Sequence, residues 1–377
     1  MTRLLELLIS CVIVAVLFLV VAVLLPSSRT LTESVETNRR QSIVFDTINS
    51  VRRFDDWSAI PRYDPAVQLR VSGPDAGVGA RVEYSSEDSR IGEGSWEITE
   101  SVPDTRVVYA LENEQRGNNK TMTFALRPTG RNNRNIEITQ TYNVDYGWDL
   151  LGRYAGLYVA RNVGDNMQIG LKRLTNMLAS VPNVDYAVEG SSLRDLTTTE
   201  LPAEHLLIVK AGAIERSNDA IMSSMKDNME WINRTLAANK LQAAGPMRII
   251  TSELGRETYT FDIAVPVRAG GAAASADASD EGEGEAAPAP VADATQPLTG
   301  LQLMGPVEYV HSPPVRVARA NYTGFMAELD NVRNALRAWA MTQGHEVIGR
   351  PFENYVNGVD AAFTADGEYE VFWTVKQ

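Results

Sequence analysis

The sequence predicts an α+β protein in three parts: an apolar helix of membrane length, an antiparallel sheet closed by one long helix, and a duplicated strand–helix–strand–strand unit. Three observations predict it. Residues 7–25 are apolar at every position except Ser10. Short runs of alternating polarity then follow one another between residues 66 and 144, ahead of an amphipathic stretch. A pattern that starts at His205 recurs from Pro314 onward.

Composition limits the function classes. With 377 residues, 44% hydrophobic and 22% charged, the chain can bury more than one core. A formal net charge of −13 with no basic cluster excludes a nucleic-acid partner, because phosphate binding needs grouped Lys and Arg. The single cysteine, Cys11, permits no internal disulfide. With only His205, His311 and His345 besides, no metal site and no cofactor are expected.

The apolar segment comes first in the chain. Nineteen residues at a helical rise span about 28 Å, close to the hydrocarbon thickness of a bilayer. A cleavable signal peptide would need a small-x-small site, and "VAVLLPSSRT" offers none. A retained single-pass transmembrane anchor over residues 4–26 is therefore expected. Lys and Arg near its ends give no decisive bias. The short tail before a large C-terminal region places the soluble domains on the periplasmic side.

The next unit is expected over residues 30–182. Helical stretches, among them "RRQSIVFDTINSVRRFDDW", precede the strand-like runs "AVQLRVSG", "ARVEYSS", "GSWEITESV", "TRVVYALEN", "KTMTFALRP" and "NIEITQTYNV". Turn residues such as Gly73-Pro74 and Pro103-Asp104 separate them. Ala160, Val163, Met167, Leu171, Leu174 and Leu178 recur at spacings of three and four, giving a closing helix one apolar stripe. On "FDDWSAI", "VSGPDAGVGARVEY", "GEGSWEITESVPDTRVVYAL" and "VGDNMQIGLKRL", this stretch resembles the polyketide cyclase/START-like (SRPBCC) superfamily. The resemblance implies a helix-grip fold, with the sheet curled around the C-terminal helix over an apolar cavity for a hydrophobic ligand. It carries no shared catalytic motif. Gly164 and Gly170 on the closing helix would leave room beside the sheet or serve as packing contacts, and the cavity is either open or filled by its own side chains.

A connector, "NVDYAVEGSSLRDLTTTELPAE", leads to a second unit expected over residues 200–377. At an offset of 108, Val209 falls on Val317, Ile221 on Leu329 and Trp231 on Trp339; at 105, Pro246 falls on Pro351 and Met247 on Phe352. Each copy reads strand, helix, strand, strand. Neither could cover its own apolar face, so the two should pair about a pseudo-twofold axis. Residues 269–297, rich in Ala, Gly, Pro and acids, are expected as a disordered insertion between the copies.

On "GPMRII", "FDIAVPV" and "RPFENY" this unit resembles the gyrase-inhibitor-like effector-binding domain. The resemblance implies a cleft for amphipathic, often cationic molecules, in which the glutamate of a Glu-x-Tyr motif faces the ligand. That residue is Glu353, with Tyr355 beside it and Phe352, Trp231, Trp339 and Trp373 as candidate aromatic walls. A carboxylate in such a pocket is poorly solvated and gains by meeting a cation. Spacing alone also permits a surface salt bridge from Glu353 to Arg350 or Arg248.

These readings favour a membrane-anchored binding protein for a hydrophobic or amphipathic small molecule, with two ligand-binding modules. Two other classes remain open. One is a hydrolase or cyclase using Glu353 as base and Tyr355 as donor; the other is a structural envelope protein without ligand.

Overall fold

The computed structural model describes residues 2–187, 192–270 and 296–376. Most of the acidic insertion lies outside the described residues. The chain is of mixed α+β character, with one apolar N-terminal helix and two antiparallel sheets in two compact units that divide at Asp185/Tyr186.

In the first unit, α1 (Thr2–Leu24) contains a 20-residue stretch of mean hydropathy 3.4, long and apolar enough to cross a membrane. Then come β1 (Ser28–Thr37), α2 (Gln41–Ile48) and two short helices, α3 (Phe54–Trp57) and α4 (Ile60–Tyr63). Six strands follow: β2 (Gln68–Ser72), β3 (Arg81–Ser85), β4 (Glu93–Val102), β5 (Arg106–Asn113), β6 (Asn118–Thr129) and β7 (Asn135–Asp145). They form a seven-stranded antiparallel sheet in the order β1-β7-β6-β5-β4-β3-β2. The six alternating runs of the sequence are β2 to β7. The seventh strand, β1, comes from "SRTLTESVET", which pairs with β7 from Ser28↔Asp145 to Thr37↔Ile136.

After β7 the chain turns through α5 (Leu150–Ala155), a 3₁₀ turn at Gly156–Tyr158 and a π-helical turn at Ala160–Gly164 into α6 (Asp165–Ser180). Met167, Leu171, Leu174 and Leu178 bury the predicted stripe, whereas Ala160 is exposed. The π turn lies where the stripe begins, and such turns alter the helical register.

The second unit contains β8 (Leu193–Leu201), β9 (Glu204–Glu215), α7 (Asn218–Asn239), β10 (Leu241–Ala243), β11 (Arg248–Leu254) and β12 (Thr258–Ala269). Beyond the insertion come β13 (Val307–Ser312), β14 (Val315–Thr323), α8 (Leu329–Thr342), β15 (Phe352–Tyr355) and β16 (Glu368–Thr374). The sheet order is β13-β9-β12-β11-β15-β16-β14-β8, with β10 added on β12. The two copies join through antiparallel β11 and β15, with Ile249 opposite Glu353. Val209 and Val317 are both fully buried, and Ile221 and Leu329 nearly so.

The connector is not wholly a connector: its Leu193–Leu201 half is the edge strand β8, paired with β14. Likewise β13, which leads into β14, pairs with β9. Two residues join β8 to β9 and two join β13 to β14. Such links span at most about 10 Å, so the sheet must curl until its opposite edges meet at that corner.

Candidate functional site

The sequence pointed to Glu353, and the structure places it on β15 with no exposed surface. Its cation is built in. Arg333, from α8 and itself 4% exposed, donates from Nε to Glu353 Oε1 at 2.6 Å and from Nη2 to Oε2 at 3.1 Å. Arg333 Nη2 also donates to Tyr259 Oη at 3.1 Å, and Tyr259 Oη lies 2.7 Å from Thr251 Oγ1. Burial works against the Arg333 charge. The Glu353 carboxylate and Tyr259 outweigh it and raise the guanidinium further above its usual range. The salt bridge that spacing suggested, to Arg350 or Arg248 at the surface, is corrected to a buried one with Arg333. Arg350 pairs instead with Asp262 at 2.8 Å, and Arg248 with Glu204 at 2.9 Å.

Tyr355 shares the Glu353 face of the strand. Its ring meets Tyr369 edge-on at 5.0 Å, its hydroxyl is buried without a partner, and burial pushes that hydroxyl well above its usual range. Phe352 is not brought together with them. Successive strand residues point to opposite faces, so Phe352 lies on the other side, stacked on Phe372 at 4.9 Å with the Arg248 guanidinium 4.5 Å from its centroid. Trp231, Trp339 and Trp373 are half-buried. Arg234 lies over Trp231 at 4.8 Å and Arg337 over Trp373 at 5.6 Å, so these rings already meet cations of their own chain.

A cavity of about 670 Å³ lies in the first unit, lined by residues of the sheet and of α6. Its floor grows out of an aromatic cluster. Trp57 of α3 meets Phe54 at 5.1 Å and Phe124 at 5.5 Å, and Trp96 meets Tyr109 at 5.5 Å, all edge to face. The Tyr109 hydroxyl donates to Ile48 O at 2.5 Å, which fixes α2 over the sheet, and burial raises its pKa. Trp57, Trp96, Leu111, Met122 and Tyr142 give the cavity its apolar lining.

Two glycines keep space open along the closing helix. A Cβ added at Gly170 would meet only Trp57 O, at 3.5 Å, and one at Gly164 would meet nothing within 4 Å. Of the two roles the sequence allowed them, the structure gives them room. Three lining residues carry buried polar atoms with no hydrogen-bond partner: Trp57 Nε1, Ser58 Oγ and Gln140 Oε1. An orphaned polar atom in an apolar wall costs about 1–3 kcal/mol, which a ligand with matching groups would relieve. Arg161, Asn162 and Val163 line the cavity from the π turn, and the Tyr63 hydroxyl donates to Asn166 Oδ1 at 2.8 Å. Asp165 is the one carboxylate among the lining residues, and no cysteine or histidine is among them.

Lys120 lies close to this wall. Its ammonium donates to Asn113 O, Asn113 Oδ1 and Gln115 O at 3.1, 2.7 and 2.5 Å. Burial lowers its pKa, and the three acceptors make it a clamp on the β5–β6 turn.

Of the lining residues, sequence reasoning read only Gly170 as a source of room and named none as a ligand contact. One signal was available. Ile136, Ile138, Gln140, Tyr142 and Val144 form the inward series of β7, and Gln140 is its single non-aromatic polar member.

Residues 28–179 match the family model described as polyketide cyclase / dehydrase and lipid transport. Among solved structures, the EcmrR C-terminal domain is similar over 48% of this chain and 98% of its own, at 13% identity and a TM-score of 0.34. Norcoclaurine synthase from Thalictrum flavum is similar over 41% and 87%, at 10% identity and a TM-score of 0.33. A Thermobifida fusca protein is similar over 40% and 93%, at 20% identity and a TM-score of 0.30. At these identities the likenesses assign no activity to the chain. Among curated proteins, none matches it.

Proposed function

We propose that the chain is a membrane-anchored small-molecule-binding protein whose ligand, hydrophobic or amphipathic, occupies the cavity between α6 and the first sheet. The observation that carries this reading is the cavity itself. Its volume, about 670 Å³, falls within the range of small-molecule sites. Its wall is aromatic, with unpaired polar atoms on Trp57, Ser58 and Gln140. The ligand is then an apolar body bearing at least one hydrogen-bonding group. The family description over residues 28–179 includes lipid transport, which agrees with such a ligand. Binding is favoured over a hydrolase or cyclase because the lining has neither cysteine nor histidine and Asp165 is its one carboxylate. α1 is the anchor in this reading.

The second unit has a different role here. Glu353 is matched by Arg333, so the pair holds α8 against the sheet rather than waiting for a cationic ligand. A cation would reach Glu353 only by displacing Arg333.

The test is a side chain placed in the space. Gly170→Leu removes a helical glycine, a gain of about 0.8 kcal/mol in propensity, and fills the cavity beside Trp57. Detergent-solubilised full-length protein should bind a fluorescent fatty-acyl probe, and the variant should lose that binding while melting no earlier. Equal probe binding by the variant would contradict the assignment.

A further inference from the structure

The turn between β7 and α6 combines features that an aqueous surface does not explain. Eight large hydrophobic side chains of the first unit outside α1 are exposed, and four of them fall within residues 148–158. These are Trp148 at 79% exposure, Leu151 at 53%, Leu157 at 49% and Tyr158 at 62%. Their outward placement follows from the sequence. Gly152 and Gly156 form the inner face of the turn, where an added Cβ would come within 2.9 and 2.8 Å of the Tyr146 ring. Small residues pack inward and bulky apolar ones outward, the reverse of a soluble amphipathic helix.

This segment is fastened to the end of α1. Arg153 Nη1 donates to Val23 O at 2.8 Å and Leu25 O at 3.3 Å, covering carbonyls that a helix C-terminus leaves without partners. Its Nε and Nη2 both hold Gly147 O, at 2.9 and 2.6 Å. Tyr154 donates its hydroxyl to Phe18 O at 2.8 Å and stacks on the Phe18 ring at 4.3 Å and 11°. Phe18 lies six residues before Leu24, about 9 Å along the helix axis. The segment therefore sits level with the last two turns of α1 and not beyond its end.

We propose that residues 148–158 form a foot that rests in the headgroup region of the lipid bilayer, with Trp148, Leu151, Leu157 and Tyr158 in contact with lipid. This rests on the reading of α1 as a membrane anchor. Trp and Tyr concentrate at that depth because their apolar rings and polar edges match the interface, and interfacial segments sink about 5–10 Å. A protein partner would account for the exposed side chains. It would not account for their attachment at the level where α1 leaves the hydrocarbon. The consequence concerns the cavity. Three residues, about 5 Å of helix, separate Tyr158 from Arg161 on the cavity lining, so that wall stands beside the lipid headgroups.

The experiment uses full-length protein in vesicles of phosphatidylcholine with a minority of phosphatidylglycerol. In a Cys11→Ser background, Leu157→Cys carries an environment-sensitive fluorophore. Arg131→Cys, at the far end of β7 and about 35 Å along the strand, carries the same label as control. Flotation of each sample reports anchoring. The Leu157 label should be quenched at least twofold by lipids spin-labelled near the headgroup and shielded from aqueous iodide, and the Arg131 label should show the opposite. If the protein floats and both labels respond only to iodide, the foot is overturned while the anchor stands. A Leu157 label shielded from both quenchers would mean a protein covers the patch, and it also overturns the proposal. If the protein does not float with the vesicles, the anchor reading fails and the foot with it.

Discussion

Replacing Glu353 by Gln keeps the shape of the side chain and removes its charge. The two guanidinium bonds at 2.6 and 3.1 Å lose their ionic partner, while Arg333 stays on α8 at 4% exposure. Breaking a buried pair from one side leaves an uncompensated charge and costs about 3–5 kcal/mol. Gln keeps one acceptor and Tyr259 Oη remains in place, so the cost should fall near the lower end, about 3 kcal/mol. Arg333→Met should cost a similar amount, because Glu353 is then the buried ion without a partner. The double variant Glu353→Leu/Arg333→Met should cost less than either single change, since exchanging both members of a buried pair for apolar groups is often neutral. For a domain of this size 3 kcal/mol lowers the melting temperature by roughly 6–12 °C. Calorimetry of the full-length protein in detergent would resolve that shift, with a cationic aromatic dye titrated in parallel. The dye should bind wild type and Glu353→Gln alike. Single variants within 1 kcal/mol of wild type, or dye binding lost in Glu353→Gln, would refute the account of Glu353 as a structural anion.

Two further outcomes follow from other parts of the molecule. His205 is 6% exposed, with Nδ1 2.8 Å from Tyr309 Oη, and burial together with the neighbouring His311 lowers its pKa below 6.5. The unfolded chain therefore binds a proton first. The His205 contribution to stability is complete above pH 6.5 and is lost as pH falls through the lower folded value. Melting scans should show the second unit weakening below that point, and by less in His205→Gln; an unchanged pH dependence in the variant would contradict this. Gly305 has a φ of 58°, and an added Cβ would stand 2.6 Å from the Trp231 ring. Gly305→Ala should destabilise by about 1–3 kcal/mol in urea unfolding, and a neutral result would mean that the loop moves away freely.

What could be read in advance depended on burial. β3 to β7 were legible because each sets buried residues among more open ones between turn residues, and β2, which buries none, from the alternation of Val67, Leu69 and Val71 ahead of Gly73-Pro74. β1, β8 and β13 were missed; all three are sheet edges with a neighbour on one side only, but so is β2, so edge position alone does not decide it. "SRTLTESVET" has no fully buried residue, and "LRDLTTTEL" has only Leu193. Their partners lie about a hundred residues away, so no local pattern announces them. The repeat made legible that the second unit holds two copies of strand, helix, strand and strand, but not the order of its sheet, to which β8 and β13 add an edge each. The partner of Glu353 was overlooked although a signal existed. Arg333 occupies the α8 stripe that Leu329, Leu336 and Ala340 define, and an arginine on an apolar stripe implies a buried anion opposite. The cavity was expected from resemblance and Gly170 was read as leaving room in it, but Trp57 and Gln140 were not foreseen in its wall, because they meet Gly170 only in three dimensions.

The central claim is that the first unit holds a small molecule between α6 and the sheet, and native mass spectrometry tests it most directly. Full-length protein purified in detergent, then stripped of micelle in the instrument, should give a population heavier than the bare chain by one small molecule. Solvent extraction of the same sample should yield an apolar compound with a hydrogen-bonding group, and Gly170→Leu should give the bare mass alone. A folded wild-type protein that appears only at the bare mass and yields an empty extract would contradict the claim.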